Sequence, residues 1–377
     1  MLCPTVPETG SAMAQPFDGE APAAFRIGLV QMTVVPTKGD NIRNMLKKVA
    51  EAAGAGAKVV VLPEVWNSSY ATSEFPGNAE PVPDVGAGGD DAVMRRDQSV
   101  SSNAMRNAAM EHGVWLVGGS VPEKRAGKVY NTCTVWSPEG RLVAKHRKIH
   151  LFDIDVPGKI TFKESDTLSA GDELCTFDTP HGRFGVGICY DMRFPQLAAL
   201  LRASGCHYIV YPGAFNTTTG PAHWELLQRG RALDNQCFVF TCSPARNMAA
   251  SYHAYGHSTV VDPWGSVVAT TGHEEAMVVA EIDPKRVAEV RGQIPVGVQW
   301  RSDLYATGWA GTDAGARDLA ALEEERAALR VAAGDGADDS SAAGRKRGRV
   351  GASSDGGAAG AEAAGASADA DAAAGSS

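Results

Sequence analysis

Short runs of β-forming residues alternate with amphipathic helical segments from Phe25 to about Ala306, and this alternation limits the fold more than any other feature of the chain. Residues 25–31 predict a first strand. A helix that begins near Asn41 and ends at Gly54 places its apolar side chains on one face. The order strand, helix, strand that follows predicts an α/β or layered α+β domain.

Two further sequence patterns predict buried strands and tight hairpins. VVVL at 59–62 is apolar on consecutive positions, and WLVGGSV at 115–121 is similar. Consecutive apolar residues indicate a strand that is covered on both faces. The turn sequences SPEG at 137–140 and DPWG at 262–265 each separate two β-rich runs and predict hairpins. These repeated hairpins suggest two comparable halves of one sandwich.

The composition changes near residue 307. Positions 311–377 contain 23 Ala and 12 Gly, and this segment has too few large apolar side chains to form a core. We therefore expect residues 307–377 to be a mostly disordered tail and residues 1–24 to be a disordered N-terminal arm. Residues 25–306 remain as the folded domain, with a Gly- and Asp-rich surface loop at 84–100.

Charge and cysteine content exclude several classes of protein. Lys and Arg total 35 against 44 Asp and Glu, a net charge of −9, which argues against nucleic-acid or anionic-membrane partners. No apolar run reaches the roughly 18 to 20 residues of a membrane span.

The seven cysteines include no CxxC pair, which argues against a disulfide framework or a structural zinc site. We expect a soluble protein of the cytoplasm, and the sequence leaves organellar targeting open.

Two segments carry charged side chains that could take part in catalysis. Glu64 follows the buried strand and Pro63, where desolvation would raise the pKa of its carboxyl and suit it to act as a base; an ordinary glutamate facing water is the alternative. Lys148 lies in a basic segment, and its ammonium could stabilise an oxyanion while Glu164 holds it in position. The alternative for this segment is a basic surface patch.

A third segment, RFGVGICYDMRFP at 183–195, places Cys189 where a glycine-containing strand ends. The following turn would present both the thiol and a backbone amide, although a lone cysteine is usually an inert buried side chain. Arg193 could bind a substrate carboxylate or form a structural salt bridge. No histidine lies beside Cys189 in the sequence, so Glu64 is an alternative base. GxGxxG, Walker and HExxH motifs are absent, and we expect no cofactor and no metal.

Taken together, these segments resemble the nitrilase superfamily of carbon-nitrogen hydrolases, and within it they are most similar to the omega-amidases of 2-oxoglutaramate and 2-oxosuccinamate. The resemblance covers nearly all of residues 25–306. The runs that carry it are YNTC at 130–133, RKIHLFDIDVPGKITF at 147–162, GICYDMRF at 187–194, YPGAFNTTTGPAHWELLQR at 211–229 and GHSTVVDPWG at 256–265. The loop at 84–100 is longer and more acidic than is usual in the family.

The resemblance implies a four-layer αββα sandwich, paired into a homodimer, and a role for each matching residue. Glu64 would be the general base, Lys148 the oxyanion-stabilising lysine and Cys189 the nucleophile. Glu164 matches the second glutamate of the family. The backbone N–H of Tyr190 would be a further oxyanion donor.

The resemblance also implies a small-molecule substrate, a dicarboxylic acid monoamide. Arg193 would bind its distal carboxylate, and Tyr70, Phe215 and Thr219 resemble residues that line the small pocket of the family. Two alternatives stay open at this point. One is an amidase of deaminated glutathione, and the other is a catalytically silent interaction protein that keeps the fold and binds through its Ala/Gly-rich tail and the RKRGR run at 345–349.

Overall fold

The computed structural model describes residues 21–86, 98–301, 303–305 and 307–309. Nearly all of the predicted N-terminal arm and of the predicted tail, and most of the predicted loop at 84–100, therefore lie outside the described residues. The helices in the described ranges are α1 (Lys38–Gly54), α2 (Phe75–Asn78), α3 (Val100–His112), α4 (Pro195–Ala203), α5 (Gly220–Asn235) and α6 (Lys285–Gln293).

The first sheet has seven strands in the order β15-β1-β2-β3-β5-β4, with β6 paired to the long strand β5. Its strands are β1 (Phe25–Gln31), β2 (Ala57–Val61), β3 (Trp115–Val117), β4 (Val121–Arg125), β5 (Lys128–Trp136), β6 (Leu142–Arg147) and β15 (Ala276–Ile282). Strands β1, β2 and β3 are parallel, and the flanking strands are antiparallel. The carboxyl ends of the three parallel strands therefore lie at one edge of the sheet.

The second sheet has six strands in the order β14-β13-β12-β11-β10-β9. Its strands are β9 (Cys175–Thr179), β10 (Gly182–Val186), β11 (Tyr208–Pro212), β12 (Phe238–Cys242), β13 (Thr259–Val261) and β14 (Val267–Thr270). Strands β10, β11 and β12 are parallel, as in the first sheet. A separate hairpin consists of β7 (Asp153–Val156) and β8 (Ile160–Lys163).

Side-chain alternation along the central strands produces four layers. In β1, Ile27 and Leu29 lie in the core that also contains Phe184 of β10, whereas Val30 packs with Met45 of α1. On the second sheet, a Cβ atom at Gly185 would lie 2.9 Å from the side chain of Leu201 in α4, so this position faces the helices. Helices α1 and α3 cover one sheet and α4 and α5 cover the other, which confirms the predicted αββα sandwich.

Most local predictions are confirmed, and one strand is shorter than predicted. The first strand, the first helix, the VVVL strand and both hairpins occur where the sequence predicts them. The strand predicted at 115–121 ends at Val117, because the chain folds back against the segment before Glu64. Gly119 has a φ of 61°, and a Cβ atom there would lie only 2.1 Å from the carbonyl oxygen of Pro63. Glycine is required for this close approach.

Two general expectations can be compared with the described part of the chain. The six cysteines in the described ranges are all buried and free, so no disulfide occurs among them. No helix in these ranges combines the length and the apolar character that crossing a membrane requires.

Candidate active site

Three chain segments that follow strands meet in the interior of the protein. Glu64 lies three residues after β2, Lys148 directly follows β6, and Cys189 lies three residues after β10. The side chains of Glu64 and Lys148 are 0% exposed, and Cys189 is 3% exposed. The ammonium Nζ of Lys148 lies 3.0 Å from Oε1 of Glu64, and the thiol of Cys189 interacts with the same carboxylate. The structure therefore brings together the three residues that the sequence singles out.

The carboxylate of Glu64 is held from several directions. Oε1 accepts hydrogen bonds from Nδ2 of Asn131 at 2.9 Å and from Lys148, and Oε2 accepts the backbone N–H of Ala214 at 2.8 Å. Burial raises the pKa of Glu64, the positive charge of Lys148 opposes this rise, and the negative charge of Glu164 adds to it. This carboxyl group is therefore both rigidly oriented and a stronger base than an exposed glutamate.

Lys148 lies between two glutamates. Its Nζ contacts Glu164 at 2.9 Å as well as Glu64. Burial by itself lowers the pKa of Lys148, but the Glu164 and Glu64 carboxylates outweigh burial and raise the pKa above the ordinary value for lysine. The side chain is therefore a fixed positive charge rather than a proton donor.

Glu164 occupies a short 3₁₀ turn directly after β8. Its Oε1 accepts a 2.8 Å hydrogen bond from the hydroxyl of Tyr70, and its Oε2 accepts the backbone N–H of Phe152 at 2.7 Å. The side chain is fully buried. These contacts leave Glu164 directed at Lys148.

Cys189 begins a 3₁₀ turn, Cys189–Arg193, that follows β10. Its φ of 48° is in the left-handed region, which is uncommon for a residue with a side chain. Burial raises the pKa of the Cys189 thiol, and the charge of Glu64 raises it further while Lys148 opposes the rise. The thiol is therefore protonated in the resting site, and it needs a base to become a nucleophile.

The backbone N–H of Tyr190 directly follows Cys189 in the same turn. Within the described part of the chain, this N–H has no hydrogen-bond acceptor. It is therefore available as a donor beside the Cys189 thiol, where an oxyanion would form.

Arg193 closes the same turn and is packed between aromatic rings. Its guanidinium carbon lies 4.7 Å from the centre of the Phe215 ring and 5.6 Å from that of Tyr190, and Nη1 lies 3.2 Å from Nδ1 of His223. In the described ranges no carboxylate forms an ion pair with Arg193, and its buried Nε has no hydrogen-bond partner. The structural salt bridge considered as the alternative role is thus not seen among these residues.

The remaining predicted pocket residues occupy different environments. Tyr70 lies within the site, because its hydroxyl reaches both Glu164 and, at 3.3 Å, Glu64. Phe215 is buried against Trp224. Thr219 precedes α5, and its hydroxyl donates to Oδ1 of Asn216 at 3.2 Å rather than to a group of the Glu-Lys-Cys cluster.

Three site residues were not singled out from the sequence. Asn131 donates to Glu64, and Asp191 lies in the nucleophile turn; both belong to runs that carry the family resemblance, YNTC and GICYDMRF. Tyr252 stacks on Tyr70 with ring centres 4.5 Å apart, and its hydroxyl donates to the carbonyl of Ala214. No local sequence pattern indicates the position of Tyr252.

This arrangement supplies a thiol, a buried carboxylate base, a fixed ammonium and a backbone amide, which are the components of nucleophilic acyl transfer through a thioester. Among the described residues, no group of three or more His, Cys, Asp or Glu side chains is placed to hold a metal ion. The αββα fold and this site together are those of a hydrolase of the nitrilase type.

The family model for carbon-nitrogen hydrolases matches residues 26–292. The chain belongs to the carbon-nitrogen hydrolase family, and it is a hydrolase that acts on the carbon-nitrogen bonds of amides.

Individual relatives and solved structures agree with this assignment. The chain is 56% identical over 284 residues to omega-amidase NIT2 of Pongo abelii, an alignment that covers 75% of this chain and 98% of that protein. It is 55% identical over 283 residues to omega-amidase NIT2 of Homo sapiens, covering 75% and 97%. The crystal structure of Saccharomyces cerevisiae Nit3, a member of branch 10 of the nitrilase superfamily, superimposes with a TM-score of 0.65 at 42% identity, covering 73% of this chain and 95% of that chain.

Proposed function

We propose that the protein is an omega-amidase. It hydrolyses the terminal amide of 2-oxoglutaramate or 2-oxosuccinamate to 2-oxoglutarate or oxaloacetate and ammonia. The likeness to omega-amidases over three quarters of the chain supports this reaction. The observation that carries the substrate class is Arg193, a partly buried guanidinium in the turn that Cys189 begins, which has no carboxylate partner among the described residues.

In the first half of the reaction, Glu64 accepts the thiol proton of Cys189 and the sulfur attacks the amide carbon. The electron pair of the carbonyl π bond moves to oxygen, and the resulting oxyanion is stabilised by the Lys148 ammonium and the Tyr190 backbone N–H. Glu64 then gives its proton to the amide nitrogen, the carbon-nitrogen bond breaks and ammonia leaves. A thioester remains on Cys189.

In the second half, a water molecule attacks the thioester while Glu64 accepts one of its protons. The second tetrahedral intermediate collapses, the carbon-sulfur bond breaks and the thiolate takes the proton back from Glu64. The product is the dicarboxylate, and the site returns to its starting protonation state. The orientation of Glu64 by Asn131 and Ala214 supports this repeated use of one base.

Glu164 acts on the other catalytic groups rather than on the substrate, and Tyr70 contacts these groups while it lines the substrate pocket. Glu164 keeps Lys148 charged and directed at the site, since the two contact each other at 2.9 Å. The Tyr70 hydroxyl donates its one proton to Glu164 at 2.8 Å, and its oxygen also lies 3.3 Å from Oε1 of Glu64. Removing Glu164 therefore changes the position of Lys148 before it changes the reacting atoms.

Substrate selection depends on Arg193, with Phe215 as the wall against which the guanidinium packs. A planar guanidinium binds a carboxylate through two parallel hydrogen bonds, and its partial burial strengthens them. A substrate without the distal carboxylate leaves this charge unpaired and binds less well. Thr219 borders this region at the start of α5, and we propose it only as a residue of the pocket wall.

The test compares kcat/KM for 2-oxoglutaramate, deaminated glutathione and butyramide. We expect 2-oxoglutaramate to be preferred over both, because it combines a short chain with the distal carboxylate. A preference for deaminated glutathione would be consistent with the proposed mechanism but would contradict the proposed substrate. A protein that folds but acts on none of the three amides would support the silent interaction protein instead.

We also propose that the chain forms a homodimer through an exposed apolar face. Leu233 of α5 and Trp264 of the β13–β14 turn line one shallow surface groove with Ile294 and Val296. Leu233 is 55% exposed and Trp264 is 45% exposed, and clustered exposed apolar side chains mark association surfaces. Sedimentation should give twice the chain mass for the wild type and the chain mass for Leu233→Asp; a wild-type monomer contradicts the proposal.

The cytoplasm remains our proposal for the location of the protein. Its support is the set of six free, buried thiols in the described ranges, which suits a reducing compartment. Fractionation of cells that express the full chain tests this, and recovery from an oxidising compartment would contradict it.

A further inference from the structure

One fully buried carboxylate of the Cys189–Arg193 turn, that of Asp191, belongs to no catalytic step described so far. The Asp191 side chain is 0% exposed. Its Oδ2 accepts the backbone N–H of Ile188 at 2.9 Å and lies 3.0 Å from Nε2 of His146. Its Oδ1 accepts the backbone N–H of His150 at 2.9 Å and lies 2.7 Å from Nδ1 of the same residue. Four donors thus converge on Asp191.

The sequence positions of these donors connect two catalytic segments. His146 and His150 lie two residues before and two residues after Lys148. Asp191 lies two residues after Cys189, in the turn that also contains the Tyr190 N–H. The Asp191 carboxylate therefore links the turn that contains Cys189 to the segment that contains Lys148. It contacts this segment through one residue before Lys148 and one residue after it.

The same contacts favour the ionised form of the Asp191 carboxyl group. Burial raises the pKa of Asp191, but the hydrogen bonds from His146 and His150 and from the Ile188 backbone outweigh burial and hold the pKa well below its usual value. Within the described residues, the buried Nδ1 of His146 has no hydrogen-bond partner. The Nε2–H tautomer of His146 fits this environment, since a proton on Nδ1 would be a buried donor without a partner.

We propose that Asp191 is a positioning residue that, together with His146 and His150, fixes the Cys189 thiol and the Tyr190 N–H relative to the Lys148 ammonium. The proposal rests on the proposed amidase mechanism, because it concerns the geometry of the same oxyanion. It assigns these three side chains no contact with the substrate.

The expected effect follows from the sensitivity of catalysis to distance. A misplacement of about 1 Å between reacting groups can cost about a hundredfold in rate. Cys189 holds a left-handed backbone conformation that a relaxed turn would leave. Loosening the turn therefore lowers kcat, whereas substrate binding through Arg193 at the other end of the turn is preserved.

The experiment compares conservative and truncating changes at the two histidines. His150→Asn keeps a donor near the place of Nδ1, and His146→Gln keeps one near the place of Nε2; His150→Ala and His146→Ala remove them. We expect each alanine variant to lose about ten- to a hundredfold in kcat with KM within about threefold of wild type, and each conservative variant to recover most of that loss. Asp191→Asn, where it folds, should lose at least as much kcat as either alanine variant.

His207→Asn is the matched control. His207 is another buried histidine with a polar contact, since its Nδ1 accepts the backbone N–H of Arg183 at 3.0 Å, and it precedes β11 at the end remote from the site. We expect this variant to lower the melting temperature and leave kcat unchanged. Equal kcat losses in the control and the His146 and His150 variants, or equal losses in the conservative and alanine variants, would overturn the positioning role.

The substrate panel separates this inference from the proposed function. All variants are measured on 2-oxoglutaramate, succinamate and butyramide. If wild type acts on one of the latter two but not on 2-oxoglutaramate, the proposed substrate fails while the same kcat ratios on the active amide still support the positioning role. If the folded wild type hydrolyses none of the three amides, both the proposed function and the positioning role are contradicted.

Discussion

The ammonium of Lys148 and the carboxylate of Glu64 contact each other at 3.0 Å, and neither side chain is exposed. Glu164 completes a buried group of two carboxylates and one ammonium. Such a group is stable only while all its members are present, because removing one partner leaves a charge buried without compensation. The proposed catalytic site and the stability of the domain therefore depend on the same three side chains.

Lys148→Met should lower both stability and activity. The change leaves Glu64 and Glu164 facing each other without a positive charge, and breaking a buried pair in this way costs about 3 to 5 kcal/mol. Urea unfolding followed by circular dichroism measures the loss. An unchanged unfolding midpoint would contradict the linkage of charge pairing and stability.

Cys189→Ala separates activity from folding. Cys189 contributes one sulfur atom to the core, so we expect a melting temperature within a few degrees of wild type and a loss of kcat of more than about a thousandfold. Ammonia release and thermal melting are the two measurements. Residual turnover near the wild-type rate would remove Cys189 from the role of nucleophile.

Glu64→Gln removes the base and should change the pH profile. Burial raises the pKa of Glu64 above its ordinary value of 4.5, with Lys148 in partial opposition. The deprotonated form is the active base, so wild-type kcat/KM should fall as pH decreases through the raised pKa, at a pH above 4.5. In Glu64→Gln we expect kcat lower by about 10² to 10⁴ and no such acidic limb. An acidic limb retained in the variant would assign the titration to another group.

Arg193→Lys should weaken substrate binding selectively. A lysine keeps the charge but cannot form two parallel hydrogen bonds, and a lost charged hydrogen bond corresponds to about 1.5 to 3 kcal/mol, or about 10- to 100-fold. We expect KM for 2-oxoglutaramate to rise by this factor while kcat/KM for butyramide, which has no carboxylate, stays the same. Equal effects on both amides would show that Arg193 supports the site without binding the carboxylate.

Sequence patterns predicted those features of the site that depend on residues close together in the chain. A buried strand followed by Pro63 predicted a partly desolvated carboxylate at the strand end, Glu64, and glycines before Cys189 predicted a turn that presents the thiol. The alternation of β-rich and amphipathic helical segments predicted an α/β or layered α+β domain in the same way, and the family resemblance implied the four-layer sandwich. These features depend on contacts within a few residues, and a single sequence contains that information.

The remaining features depend on residues that are far apart in the chain. Asn131 and the Ala214 backbone, which hold Glu64, are 67 and 150 residues away from it. The stacking of Tyr252 on Tyr70 and the contacts of Asp191 with two histidines likewise arise only when the sheets pack. Gly119 shortened a predicted strand for a similar reason, since the neighbour it accommodates, Pro63, lies on another strand end.

The most direct test of this account is the mass of the protein during turnover. The wild type is mixed with 2-oxoglutaramate, quenched in acid within milliseconds to seconds, digested and analysed by mass spectrometry. We predict a transient acyl group, equal to the substrate minus ammonia, on the peptide that contains Cys189, and no such adduct in Cys189→Ala. Sustained ammonia release with an acyl group on a different residue, or persisting in Cys189→Ala, would contradict the proposed mechanism.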